Sequence, residues 1–223
     1  MKFVYSITLV ALVFAARPAL AQDASDSDRL RDAPLRRYMA AFGGIADTGS
    51  DTIPTLAGEY GESITKNSQA YANFSYFDNV MTAQMRDNLA AASSYIEQIT
   101  GVPRTFSGRD RGLALTFGGK FVAGRTVRPY VGAGVGGMQI RRTITEAALG
   151  DVTQAFAAQS GLGDGVVNPG ATKEMKPLGE VVAGVGFVAR HAYVDVGYRY
   201  RRAFHSAITV DFSQVVVGIG AKW

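Results

Sequence analysis

In the second half of the chain, apolar residues occupy every second position, and glycine or a charge occupies the positions between. From Val215 to Trp223 the odd positions read Val, Val, Ile, Ala, Trp, and the even ones Val, Gly, Gly, Lys. A period of two puts these sets on opposite faces of an extended strand. From Ala192 to Arg202, Val194, Val196, Tyr198 and Tyr200 share one face, while Asp195, Gly197, Arg199 and Arg201 share the other. Three charges on one strand face do not make a soluble core. Val181, Ala183, Val185 and Phe187 alternate with Glu180, Val182, Gly184 and Gly186, and Val131, Ala133 and Val135 alternate with Tyr130, Gly132, Gly134 and Gly136. Leu113, Leu115, Phe117 and Phe121 face away from Ala114, Thr116, Gly118 and Lys120. Arg37 to Ile45, Leu56 to Ile64 and Gln69 to Phe77 complete a set of eight candidate strands.

Two segments break the period of two. Asp78 to Ile99 lacks Gly and Pro, and Met81, Met85, Leu89 and Ala92 recur at helical spacing. Thr145 to Ser160 is a second candidate helix, with Leu149, Val152 and Phe156 on one side and Gly150 against it. Gly161 to Lys176, with its Asn-Pro-Gly, reads as loop. The connections between candidate strands run medium, short, long, short, long, short, medium. Such alternation is what an up-and-down barrel with short periplasmic turns and longer outer loops requires. The predicted fold is all-β: an eight-stranded antiparallel transmembrane barrel with a helical insert in an extracellular loop. Its apolar faces, including Val194, Tyr198, Val217 and Ile219, are expected to meet acyl chains, and its charged faces a lumen.

The N-terminus supports export. Lys2 precedes a largely apolar run from Phe3 to Ala16, and Ala19-Leu20-Ala21 fits the small-x-small cleavage rule. Residues 1–21 are therefore expected to be a signal peptide, 22–35 a polar flexible tail and 36–223 the barrel. The run is too short for a helix spanning a ~30 Å hydrocarbon core. The net charge of +4 in 223 residues is too weak and scattered to argue for nucleic acid. Twenty-six glycines exceed the usual ~7%, and no cysteine is present, which excludes disulfides and cysteine metal sites.

Together these segments carry a family likeness. Pro129-Tyr130-Val131-Gly132-Ala133-Gly134-Val135-Gly136 resembles the fifth strand of the small eight-stranded outer-membrane barrels, a family that includes the OmpA transmembrane domain and the opacity-type adhesins. Asp195-Val196-Gly197-Tyr198-Arg199-Tyr200 resembles their seventh strand. Trp223, with apolar residues at alternate positions before it, resembles the C-terminal signal read by the barrel assembly machinery. The likeness covers roughly the half of the chain from Arg111 onward. Two features are expected to depart from it: a peptidoglycan-binding domain is not expected after the last strand, and the insert at Asp78 to Ile99 is unusual. The resemblance implies a bacterial outer-membrane location, with lipid and lipopolysaccharide as surroundings and an extracellular partner that the sequence does not name.

The interior of an eight-stranded barrel is just wide enough for side chains to fill, and charges there must pair. If Arg190 and His191 form a two-residue turn, Ala189 faces Ala192 and Glu180 faces Arg201, with Arg199 one diagonal away. A Glu180–Arg201/Arg199 ionic plug is expected in the outer half of the lumen. Asp195, Lys120 and Lys222 are expected to form a second group nearer the periplasm. No cofactor, metal or catalytic residue is expected. The only histidines are His191 and His205, and His205 adjoins Ser206 with Asp211 nearby, where neighbouring strand residues point to opposite faces. Arg104, Arg109, Arg111, Arg141, Arg142, Arg201 and Arg202 fall at the outer end and suit lipopolysaccharide phosphates, although Arg36, Arg37, Arg125, Arg128 and Arg190 at the other end make ordinary rim charge the stronger reading. The expected function is structural or surface-interacting, with a plugged or narrow lumen. A small diffusion porin is the alternative. A soluble lipocalin-type barrel and a lipid A-modifying enzyme rank below both.

Overall fold

The computed structural model describes residues 36–49, 51–158, 173–204 and 210–223. The expected signal peptide and tail, along with His205 and Ser206, lie outside them. Eight strands wind up and down: β1 (Arg37–Asp47), β2 (Thr52–Ser63), β3 (Ser68–Phe77), β4 (Phe106–Val122), β5 (Val127–Glu146), β6 (Lys173–Ala189), β7 (Ala192–Ala203) and β8 (Val210–Lys222). Each pairs antiparallel with the next, and β1 pairs with β8, from Tyr38 opposite Lys222 to Asp47 opposite Ser213. The sheet therefore closes and leaves no edge strand. Backbone hydrogen bonds between Arg37 and Trp223 seal the seam at one end.

That end carries three short turns and both ends of the described barrel; the other, here called the loop end, carries the remaining connections, β3–β4 and β5–β6 being the longest. The turn at Arg190 and His191 sets Ala189 opposite Ala192, and Arg190 takes a positive φ of 29°. Side chains alternate in and out as the period of two requires. Val194, Tyr198, Val217 and Ile219 all point outward and are exposed, Ile219 by 68%. With Leu56, Phe74, Phe121, Val131, Val135, Val181 and Phe187 they form an apolar outward belt.

Several elements run past their predicted ends. β1 and β2 extend to a connection at residues 48–51, shorter than the medium link expected. Pro54 is accommodated because β2 pairs there on one side only, with Ile45. β4, β5 and β6 are 17, 20 and 17 residues long, well beyond the 9–11 or so that a span needs. Residues 106–110, 143–146 and 173–176, read from sequence as loop or helix, are strand. The expected helix from Thr145 shrinks to α2 (Thr153–Ala158), because Gly150, at φ +76°, turns the chain back to pair with Thr145 and Glu146. The part of β5 beyond Gln139 rises on the order of 20 Å along the strand.

The larger insert is α1 (Ala83–Thr100). It starts later than Asp78 because Thr82 caps it, its side chain accepting from the Met85 N–H at 3.2 Å. The residues before it are tied to β4 instead: the Val80 N–H donates to the Asp110 carbonyl at 2.7 Å. Gly101, left-handed at φ 66°, ends the helix. Met81, Met85 and Leu89 pack on Ile144, with Phe106, Val152 and Phe156 alongside. Ile144 shares its strand face with the lumen-side residues Met138, Ile140 and Arg142, so the helix lies on the inner side of the raised wall. Gly108 gives it room, since a Cβ there would strike the Met81 and Leu89 side chains.

Candidate functional site

The inward faces form stacked layers. Nearest the loop end is the ion pair of Arg142 with Asp110, bidentate at 2.7 and 3.0 Å. Beneath it lies an apolar layer that includes Ile53, Phe77, Met138, Ile140, Leu178 and Phe212. The polar layers follow, and Glu59 and Glu180 are their centres. Glu180 stands directly opposite Arg201 on β7 and accepts from the Arg201 Nε, from the Tyr71 hydroxyl at 2.8 Å and from the Thr116 hydroxyl at 3.2 Å. Arg201 also donates to Gln214 at 2.9 Å and Asn73 at 2.8 Å.

Glu59 binds the Lys120 ammonium, the Arg199 guanidinium at 2.7 Å and the Tyr38 hydroxyl at 2.6 Å. Arg199 bridges the two centres, lying 3.9 Å from Glu180. Lys120 sits over the rings of Tyr71 and Tyr130 at 4.9 and 4.6 Å. These carboxylates and cations are almost wholly buried, where charge-assisted hydrogen bonds are strongest and unmatched charges most costly.

Of the six expected lumenal residues, the structure joins Glu180, Arg201 and Arg199 in one chain of contacts. The expected second group is not assembled as such, because Lys120 and Asp195 find different partners. Lys120 goes to Glu59, and Asp195 accepts from Tyr130 at 2.8 Å and from Tyr193. Lys222 lies at the turn end, opposite Tyr38. Sequence reasoning missed Glu59 and the inward tyrosines Tyr38, Tyr71 and Tyr193. The signal was present: Glu59 alternates with Leu56, Gly58 and Tyr60 on a glycine-rich strand. It also placed Arg128 on the rim, whereas Arg128 is buried beside Tyr38 and Tyr193, with no hydrogen-bond partner for its guanidinium among the described residues.

Glycine shapes one of these contacts. Gly184 and Gly197 pair across β6 and β7 and form the floor under Tyr130, letting it reach Asp195. A Cβ at Gly184 would lie 2.6 Å from the Val196 carbonyl oxygen and 2.6 Å from the Tyr130 hydroxyl. Gly184→Val is therefore expected to destabilise the barrel by about 1–3 kcal/mol, the usual cost of overpacking, read as a lower urea midpoint for unfolding from lipid vesicles. An unchanged midpoint would contradict the close approach.

The outer arginines divide. Arg142 and Arg201 point inward; Arg104 binds Glu146 at 3.4 Å; Arg202 grips Asp211 at 2.7 and 2.9 Å. Arg109 pairs with Asp78, and its hydrogen bond holds that carboxyl below the usual range. Arg111 and Arg141 face each other outward across β4 and β5. No group of three or more metal-ligating side chains occurs among the described residues.

The closed barrel has solved counterparts. Neisserial surface protein A is 13% identical, with 85% of this chain and 97% of that chain covered and a TM-score of 0.53. The N-terminal β-barrel domain of Pseudomonas aeruginosa OprF is 11% identical, with 84% and 96% covered and a TM-score of 0.50. The fold is that of the small outer-membrane β-barrels. At such identities the likeness is one of fold. No protein-family model matches the chain, and no curated protein matches it.

Proposed function

We propose that the chain is a bacterial outer-membrane barrel with a plugged lumen, working as a structural or surface-interaction protein. The observation that carries this reading is the inverted polarity of the wall: apolar residues outward, bonded charges inward. A water-soluble barrel would expose its apolar belt at a cost of about 25 cal/mol per Å². On this reading the turn end faces the periplasm and the loop end the medium. The belt contacts lipid and lipopolysaccharide, and the strand ending at Trp223 is the segment read by the assembly machinery. The raised wall with α1 is the surface offered to an extracellular partner, since binding tends to reside on segments held by a rigid scaffold. No catalysis and no cofactor are part of the proposal.

A narrow diffusion pore is the second reading, and buried Arg128, whose guanidinium has no hydrogen-bond partner among the described residues, is the observation in its favour. Two measurements test the pair. Outer-membrane extracts run on gels with and without boiling should show a heat-shifted band, and absence of the protein from that fraction would defeat the proposal. Planar bilayers containing the purified barrel should show no step-like currents, whereas steady channels would favour the pore.

A further inference from the structure

The buried charges on the turn-end side of the apolar layer are unequal in number. Among the described residues the buried acids there are Glu59, Glu180 and Asp195, and the buried cations are Lys120, Arg128, Arg199 and Arg201. Lys120 and Arg199 bind Glu59, and Arg201 binds Glu180. Asp195 is held by two neutral phenols, those of Tyr130 and Tyr193. Arg128 is the odd cation. It is 1% exposed, and its Nε, Nη1 and Nη2 have no hydrogen-bond partner among the described residues.

The fold keeps Arg128 apart from Asp195. Arg128 is the second residue of β5 and stands opposite Gly186 on β6, which in turn stands opposite Asp195 on β7. Tyr193 leans over Gly186: a Cβ there would lie 2.7 Å from Cε2 of its ring. The ring thus stands over the strand that separates guanidinium from carboxylate, and its hydroxyl is given to Asp195. The Tyr38 hydroxyl, on the other side, is given to Glu59. The rest of the inward wall at this end is neutral, with Val122 and Val188 buried and Gln69 bonded to Ser63 at 3.3 Å.

Enclosing a guanidinium without a counter-charge is strongly unfavourable. Water can take up its N–H groups but leaves the charge in place. An anion answers both, through charge-assisted hydrogen bonds. A single negative charge evens the set, and the closely packed walls admit only a small ion.

We propose that Arg128 binds a small monovalent anion of halide size, drawn from the solution at the turn end. Arg128 lies one residue inside the start of β5, and its long flexible stem lets the guanidinium shift toward the mouth to admit the ion. The inference goes beyond the membrane reading, since it needs only the closed barrel and its inward charges.

The test unfolds the purified, folded chain with urea in a zwitterionic buffer. Sodium chloride and sodium gluconate are exchanged at constant ionic strength, and Trp223 fluorescence reports the midpoint. Wild type and an Arg202→Gln control should be more stable in chloride. Each tenfold rise in chloride above its dissociation constant should raise their folded-to-unfolded ratio about tenfold. Arg128→Met, which keeps an apolar stem and removes the charge, should have the same midpoint in both salts. Wild-type crystals grown in sodium bromide should show anomalous scattering at hydrogen-bond distance from the Arg128 guanidinium. Equal wild-type midpoints in the two salts would mean that solvent alone satisfies Arg128, and would overturn the site. So would an undiminished chloride dependence in Arg128→Met, or bromide absent from Arg128. If Arg128→Met does not fold, the wild-type salt comparison and the bromide position decide.

Discussion

Replacing Glu59 with alanine should cost the folded barrel about 3–5 kcal/mol, the usual penalty for removing one partner of a buried ionic group. Glu59 is the shared acceptor of Lys120, Arg199 and Tyr38. Its loss leaves Lys120 with the Tyr38 hydroxyl at 3.2 Å and ring contacts but no carboxylate, and Arg199 with the Phe42 ring and the 3.9 Å approach to Glu180. The only tryptophan, Trp223, reports unfolding by fluorescence as urea is raised over vesicles. Replacing Glu59, Lys120 and Arg199 together with Leu, Met and Met should recover most of the loss, since a well-packed apolar set needs no counter-ions. An alanine variant as stable as wild type would show that water, not Glu59, solvates these cations.

The second large effect concerns the opposite face. Val217 lies in the middle of β8, opposite Val196 on β7 and Gly43 on β1, and is exposed by 53%. Val217→Arg should destabilise the barrel in vesicles by about 2–4 kcal/mol, the cost of an arginine at the bilayer midplane. Ser213→Arg, outward on the same strand but near its loop end, should cost about 0–1 kcal/mol. Equal effects at the two positions would mean that the belt does not sit in hydrocarbon.

How legible the molecule was depended on how different the two faces of each strand are. β7 carries Asp195, Arg199 and Arg201 inside and Val194, Val196 and Tyr198 outside, so its orientation could be read residue by residue. β1 is apolar on both sides, because Phe42 and Ala46 are inward and Met39 and Ile45 outward, and its alternation fades. Glu59 was hidden for a related reason: β2 is short on outward bulk, and its one inward charge meets partners on β4 and β7 that no local pattern reveals. The raised wall was illegible because charge occurs on both faces there, with Arg109, Arg111 and Arg141 outside and Asp110 and Arg142 inside. Charge on both faces reads as loop until the cross-strand pairing of Asp110 with Arg142 is known. Helical spacing revealed α1, but its seat on Ile144 and Gly108 is a tertiary contact.

The wall is tall on one side only: β4, β5 and β6 rise high while β1, β2, β3, β7 and β8 stop low. The molecule therefore has a back and a front, like a seat with a single upright. Among the described residues, the low side carries no strand at the height of α1, which lines the upright opposite. If the upright serves the proposed surface role, mutations there can remodel that surface without disturbing the hoop below, so the two parts are free to diverge at separate rates.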